Sequence, residues 1–199
     1  MAQRTGVVLA GGAGNRLGGP KGALELEGRT LASAAAALLW PHCSSVLISI
    51  GARAENPAPQ YPAVADPPPE GRGPLVGMLA AYEATQRSDL LVLACDYPRV
   101  GAVLLRSLLA FRSDAYDLVM PCDSRGRDHP LVGLWSRAAE PSMQQAVARG
   151  SYKVRALFAE LRVKRLAAAD LPGVELDREL LNLNWPADLE RLRAEQRRG

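Results

Sequence analysis

Cysteine is scarce in this chain: three among 199 residues, Cys43, Cys95 and Cys122, odd in number and far apart. That excludes a disulfide framework and a cysteine-based zinc site, and it suits a reducing cytoplasm, the expected location. Lysine is nearly missing too. Only Lys21, Lys153 and Lys164 of the 24 cations are lysines, the arginines scatter, and the net charge is +3. Nucleic-acid binders concentrate their basic residues on one face, so no nucleic-acid partner is expected. The one dense group, Arg191, Arg193, Arg197 and Arg198, reads as the solvated end of a helix. No apolar run reaches signal or membrane-spanning length, and Met1-Ala2-Gln3-Arg4-Thr5 leads straight into a strand, so no membrane partner is expected either. G-x-S-x-G does not occur, and Cys95 beside an apolar strand reads as core; covalent catalysis has no support.

What is present is an apolar-rich chain, 48% hydrophobic, of a length that buries roughly 70% of its unfolded surface in one core. Short apolar runs alternate with alanine- and leucine-rich helical patterns, the signature of βαβ units. Strands are predicted over 5–10, 46–50, 63–65, 90–94, 117–120 and 131–135. Helices are predicted over 30–39, 75–86 with Pro74 at the start, 102–111, 138–149, 154–161 and 186–197. The fold class is α/β, with a mostly parallel sheet that carries its ligands at the strands' carboxyl ends. A single domain over 1–199 is expected. Seven prolines lie between Pro57 and Pro74, a loop better placed at the edge of a site than as a domain linker.

The most telling segment is Val7-Val8-Leu9-Ala10-Gly11-Gly12-Ala13-Gly14-Asn15-Arg16-Leu17-Gly18-Gly19-Pro20-Lys21. An apolar strand runs into a glycine-rich loop that ends in lysine, and such loops let backbone N–H groups approach phosphate closely. Arg16 and Lys21 supply charge that amides cannot. The loop is neither of the two familiar ones. Gly14 and Gly19 have P-loop spacing, but Pro20 precedes Lys21 and Gly22 replaces the magnesium-binding hydroxyl; the dinucleotide fingerprint meets Leu17 where its third glycine belongs.

Asp96 follows the apolar run Leu90-Leu91-Val92-Leu93-Ala94-Cys95, at the edge where the glycine loop emerges. A hard cation held by one or two carboxylates and substrate phosphates suits that position, so Asp96 is a candidate Mg²⁺ ligand. Asp96 could equally cap a turn. Asp66 opens the proline-rich loop and faces the same edge or makes a local turn. Asn182 and Asn184 sit two apart in Leu180-Leu181-Asn182-Leu183-Asn184-Trp185-Pro186, on one face of a predicted strand end, with Asn184 also a candidate helix cap. His129, in His129-Pro130-Leu131, reads as a structural histidine, because an ionised phosphate nucleophile needs no general base.

These motifs in order, from Leu9-Ala10-Gly11-Gly12 through Arg16-Leu17-Gly18-Gly19-Pro20-Lys21, Gly73-Pro74-Leu75, Cys95-Asp96-Tyr97-Pro98 and His129-Pro130-Leu131 to Asn182-Leu183-Asn184-Trp185-Pro186-Ala187-Asp188-Leu189, resemble the molybdenum cofactor guanylyltransferases. The resemblance spans residues 9–189. It implies a Rossmann-like three-layer α/β/α nucleotidyltransferase fold, with a nucleotide-binding half over about 1–100 and a molybdopterin-binding half over about 101–199. It further implies transfer of GMP from Mg²⁺·GTP to molybdenum-bearing molybdopterin, with release of pyrophosphate. By the same resemblance Leu9, Ala10, Gly11, Gly12, Lys21, Asp66 and Asp96 bind GTP, Asp96 holds magnesium, Lys21, Asp96 and Arg16 serve catalysis, and Asn182 and Asn184 meet molybdopterin. Cofactor-delivery or molybdoenzyme chaperone proteins are the candidate protein partners.

The sequence departs from the family pattern at Pro20, Leu17 and Trp185. After the strand ending at Ile50 it shows Gly51 and Ala52 where the family commonly carries an asparagine; Leu-Ala-Gly-Gly nonetheless matches guanylyl members better than cytidylyl ones. Three alternatives stand beside guanylyl transfer: cytidylyl transfer to the same pterin, nucleotidyl transfer to a phosphorylated sugar or lactate, and a nucleotide-binding scaffold without turnover.

Overall fold

A computed structural model describes residues 3–11, 19–52, 54–67, 72–85 and 88–196. The strands are β1 (Arg4–Leu9), β2 (Glu25–Leu26), β3 (Arg29–Thr30), β4 (Ser45–Ile50), β5 (Ala63–Ala65), β6 (Asp89–Ala94), β7 (Leu118–Pro121), β8 (Val132–Trp135) and β9 (Val163–Leu166). The helices are α1 (Leu31–Leu39), α2 (Pro74–Thr85), α3 (Ala102–Ala110), α4 (Glu140–Ala148), α5 (Leu176–Glu179) and α6 (Pro186–Gln196).

Seven strands form one sheet in the order β5-β4-β1-β6-β8-β7-β9. It is parallel throughout except at β8, which runs antiparallel to β6 and to β7. The chain leaves β1 toward β4 and β5, then returns to place β6 on the other side of β1. That reversal opens a crevice at the carboxyl ends of β1 and β6, where open α/β sheets bind ligands. β6 is buried along its whole length, as a strand covered on both faces must be.

Apolar side chains fill both faces. Val8, Leu91 and Leu93 meet α1, α3, α5 and α6 on one side, while Val7, Leu90 and Val92 meet α2 and α4 on the other. The result is a three-layer α/β/α arrangement. Local chemistry sets the element ends: Thr30 Oγ1 accepts the Ser33 N–H at 3.1 Å to cap the alanine-rich α1, and Pro74 opens α2, where its missing N–H costs nothing.

The structure amends the sequence reading in four places. The strand predicted over 131–135 is the antiparallel one. Residues 154–161 form a 3₁₀ segment, Val154–Ala159, rather than an α-helix; Val154 and Leu157 are buried three apart, a spacing that either helix satisfies. The edge strand β9 went unseen because Val163-Lys164-Arg165-Leu166 is half charged, a common protection for sheet edges. The hairpin of β2 and β3 turns on Glu27 and Gly28 at φ 52° and 72°, a left-handed pair suited to a two-residue turn. Among the described residues no helix is long and apolar enough to cross a membrane.

Candidate active site

The crevice is built from chain ends that the sheet brings together. Ala10 donates its N–H to Ser49 O at 2.8 Å and Cys95 donates to Leu9 O at 3.2 Å, so the backbone past β1 is held between its two neighbours. Leu9 therefore pairs with the strand end that leads into Asp96, and Ala10 and Gly11 follow it. Glycine at position 11 allows a close backbone approach: a Cβ there would lie 3.1 Å from Gly51 N. Cys95 is buried and its thiol is pushed up to about 12 by that burial and then by Asp96, which leaves it inert core. Gly12 and Arg16 lie outside the described residues.

Lys21 is the hub. It follows Pro20 in a 3₁₀ turn, Lys21–Ala23, seated closely on the crevice wall because Gly22 has no side chain; a Cβ there would lie 2.9 Å from Ala10 Cβ. Its ammonium donates to Asp96 Oδ2 at 3.0 Å, Leu183 O at 2.8 Å and Asn184 Oδ1 at 3.0 Å. The Lys21–Asp96 pair remains accessible, at 20% and 19% side-chain exposure. Leu183 in turn donates its N–H to Asp96 O at 2.7 Å. Residues separated by 75 and 163 positions thus meet at one nitrogen.

The closing motif is an irregular extended segment rather than a strand end. Leu180 and Leu183, each 4% exposed, anchor it in the core. The turn into α6 is fixed by Asp188, whose Oδ2 accepts from Asn184 N at 3.0 Å and Trp185 N at 2.9 Å; the Asn184 N–H first, then the Trp185 N–H, hold its carboxyl below the usual range against burial. Asp188, within α6, thus fixes the entry to the helix, and Asn184 takes part in that turn through its backbone N–H. The two asparagines part company: Asn184 turns to Lys21, whereas Asn182 lines two neighbouring hollows.

Asp66 flanks the other side. Its N–H donates to Ile50 O at 2.9 Å, and its carboxylate lies against Gly11 and Gly77. A Cβ at Gly77 would collide with Ser49 Oγ and come to 3.0 Å from Asp66 Oδ1. Asp66 Oδ1 is buried with no hydrogen-bond partner. Burial raises its pKa, and the neighbouring Ser49 hydroxyl opposes that rise.

Next to Asp96 opens a cavity of about 400 Å³ whose lining includes Tyr97, Arg127, His129, Lys153, Arg155 and Asn182. Sequence reading missed most of this wall. The available signal was the stretch from Arg149 to Arg165, with six cations against one acid, but it does not say which cations are compensated. The structure does: Arg149 pairs with Glu160, Arg162 with Asp117, Lys164 with Asp170 at 3.9 Å and Arg165 with Asp128. Lys153 and Arg155 are in none of these pairs, and Arg155 donates to the Asp128 carbonyl at 3.3 Å. Within this stretch the positive charge left over lies on the cavity wall, which Asp128 also lines.

The donor set also bears on a metal. Among the described residues no group of three or more His, Cys, Asp or Glu could hold an ion. A hard cation here would take Asp96 and draw its remaining ligands from phosphates and water, the way magnesium is usually held beside a nucleotide.

Comparison with known proteins agrees with this geometry. Residues 6–174 match the family described as the MobA-like NTP transferase domain. The molybdenum cofactor guanylyltransferase of Shewanella amazonensis is 32% identical over 190 residues, covering 94% of this chain and 93% of its own. That of Acidiphilium cryptum is 35% identical over 190 residues, covering 92% and 91%. The crystal structure of molybdopterin-guanine dinucleotide biosynthesis protein A from Archaeoglobus fulgidus superposes with a TM-score of 0.79 at 22% identity, over 98% of this chain and 100% of that one, a likeness of fold. With the match covering most of the chain and the crevice placed where the fold puts it, the protein belongs to the MobA-like NTP transferase family and is a nucleotidyltransferase.

Proposed function

We propose that the protein transfers GMP from GTP to the terminal phosphate of molybdenum-bearing molybdopterin, giving molybdopterin guanine dinucleotide and pyrophosphate. The observation that carries this reading is the Lys21 hub. One ammonium joins the crevice at β1 and β6 to the segment that borders the 400 Å³ cavity, so a nucleotide site at Asp96 adjoins an acceptor site that begins at Tyr97 and Asn182. The relatives' names supply the substrates.

In this reading the backbone of Leu9, Ala10 and Gly11 cradles the triphosphate, and Gly12 and Arg16 take part in binding it. Lys21 turns from Asp96 to the phosphates, and the Asp96 carboxylate would hold a divalent cation, magnesium, which when bound would supply charge neutralisation. Asp66 borders the nucleoside, and its buried carboxylate oxygen without a donor suits a partner that brings one. The acceptor's phosphate is already ionised, so the residues need only align it with the α-phosphorus and leave room for departing pyrophosphate. Lys153 and Arg155 give the acceptor cavity a positive wall suited to an anionic substrate.

The test offers purified protein each of the four Mg²⁺·NTPs with molybdenum-loaded molybdopterin and follows pyrophosphate and dinucleotide. GTP-selective product is expected. CTP preference would move the chain to cytidylyl transfer, and no product with any nucleotide would overturn the enzymatic reading of this acceptor.

A further inference from the structure

Between the acceptor cavity and the interior runs a chain of side chains that the transfer chemistry does not use. Tyr97 and His129, both in the cavity lining, meet with Oη 3.2 Å from Nδ1 and with their rings edge to face at 84°. Beyond them His129 Nε2 lies 3.5 Å from Asp123 Oδ2. His129 is 5% exposed and Asp123 9%.

Asp123 is rigidly held. Its Oδ1 accepts the backbone N–H of Arg125 at 3.0 Å and of Arg127 at 2.8 Å, and its Oδ2 accepts from Arg127 Nε at 3.0 Å. Burial alone would raise its carboxyl, but the Arg127 N–H, His129 and the Arg125 N–H outweigh it, so Asp123 is ionised and can only accept. His129 is surrounded by Tyr97, Asp123, Arg127 and Arg155; burial lowers its pKa, Asp123 opposes, and the two arginines lower it further. The ring is therefore neutral near pH 7, with a single N–H.

Where that proton sits follows from the neighbours. A lone pair on Nε2 would face a carboxylate, an uncompensated repulsion, so the proton belongs on Nε2 and Nδ1 carries the lone pair. The Tyr97 hydroxyl must then donate to Nδ1. Its own proton is spent inward, and its oxygen keeps only lone pairs for anything in the cavity.

We propose that Tyr97 contacts the acceptor as a hydrogen-bond acceptor for an N–H edge of its pterin, and that His129 and Asp123 are positioning residues that fix this polarity. The inference rests on the guanylyl-transfer reading for the identity of the acceptor. It explains a mixed lining: Arg127, Lys153 and Arg155 offer donors to anionic groups, while the phenol is a neutral group with the opposite polarity, matched to an amino or ring N–H. That polarity matches a planar acceptor with one anionic end and one N–H edge, and it disfavours any group that can only accept at that position.

The tautomer is tested without activity. Only two histidines occur, His42 and His129, so ¹⁵N-labelled protein at neutral pH, with His129→Asn for assignment, reports both ring nitrogens of His129. An unprotonated Nδ1 and a protonated Nε2 are expected; the reverse tautomer, or a cationic ring, overturns the proposal. Kinetics test the contact. Tyr97→Phe raises the KM for molybdenum-loaded molybdopterin about fivefold, the worth of one neutral hydrogen bond, with the KM for GTP unchanged. His129→Leu does the same, the Tyr97→Phe/His129→Leu pair is no worse than either alone, and His129→Asn, whose Oδ1 can replace Nδ1 as acceptor, restores most of the loss. Multiplying effects in the pair, or an acceptor KM within twofold of wild type for Tyr97→Phe, refutes the linkage. Failure of the wild-type protein to use any pterin acceptor sinks the guanylyl-transfer reading and the contact with it, whereas a wrong tautomer in an active enzyme sinks the inference alone.

Discussion

Replacing Lys21 with methionine separates two roles that the structure superimposes on one nitrogen. The ammonium makes hydrogen bonds to Asp96 Oδ2, Leu183 O and Asn184 Oδ1. A charged hydrogen bond contributes about 1.5–3 kcal/mol when dry. Here the pair is 20% and 19% exposed, so water replaces much of what is lost, and a total near about 2 kcal/mol is expected after screening. For a chain of this size that lowers Tm by about 4–8 °C, a destabilised but folded protein. Transfer should suffer far more, falling at least about a hundredfold, as when a single preorganised charge is removed from developing phosphate charge. The assay pairs thermal unfolding with pyrophosphate release from Mg²⁺·GTP and molybdenum-loaded molybdopterin, below the variant's Tm. A lowered Tm with near-normal release would make Lys21 a strut for the closing segment and nothing more, and the nucleotide site would have to be sought elsewhere.

The cavity wall, the crevice packing and the acid limb of stability each give a further expectation. Lys153→Met with Arg155→Met should raise the acceptor KM at least about tenfold, less than the full Coulomb energy of two close charges because both side chains are exposed, while the KM for GTP stays put; an unchanged acceptor KM would mean that the leftover charge is only solvated surface. Gly77→Ala should destabilise by about 1–3 kcal/mol, because its Cβ meets Ser49 Oγ, and adding Ser49→Ala should return part of the lost Tm; a neutral Gly77→Ala would show that the crevice gives freely. Hydrogen bonds from Arg162, chiefly from its side chain, hold the Asp117 carboxyl below 3.8. With the folded value depressed, its contribution is fully present above the unfolded value and is lost as pH falls through the folded one. The Tm gap between wild type and Asp117→Asn should thus be widest near neutrality and close in acid, and a gap that does not narrow would refute the linkage.

How much of this was legible beforehand depended on how local the determining interaction is. Apart from the hairpin of β2 and β3, the order of strands and helices from β1 to α3 follows from apolar periodicity within each segment, and the carboxylate at 96 is legible as a strand-end residue because strand ends in a parallel sheet converge by topology. β9 was invisible because an edge strand with Lys164 and Arg165 has no apolar signature, and the direction of β8 is set by pairing with β6, which no local pattern records. The hub at Lys21 is nonlocal in the same sense: nothing in Pro20-Lys21-Gly22 names Asn184 as its partner. The cationic wall was legible as a density of charge from Arg149 to Arg165 but not as a site, since compensation by Glu160, Asp117, Asp170 and Asp128 is decided by tertiary placement.

The separation of the two asparagines is the sharpest consequence of that nonlocal assembly. Sequence alone set Asn182 and Asn184 on one face, facing one ligand. In the structure Asn184 Oδ1 accepts from Lys21 Nζ at 3.0 Å, and only Asn182 lines the acceptor cavity and the hollow beside it. Their losses should therefore differ in kind. Asn182→Ala removes an amide from the acceptor's wall, so the acceptor KM rises several-fold while the KM for GTP and Tm hold. Asn184→Ala releases one of the three partners that aim the Lys21 ammonium, so the change falls on kcat and on the KM for GTP, and the acceptor KM moves little. Combined with Lys21→Met, Asn184→Ala should add almost nothing, because residues acting through one link do not contribute independently. Equal acceptor-KM effects from the two alanine variants, with kcat untouched, would return both asparagines to a single pterin site and leave the Asn184–Lys21 contact without a role in transfer.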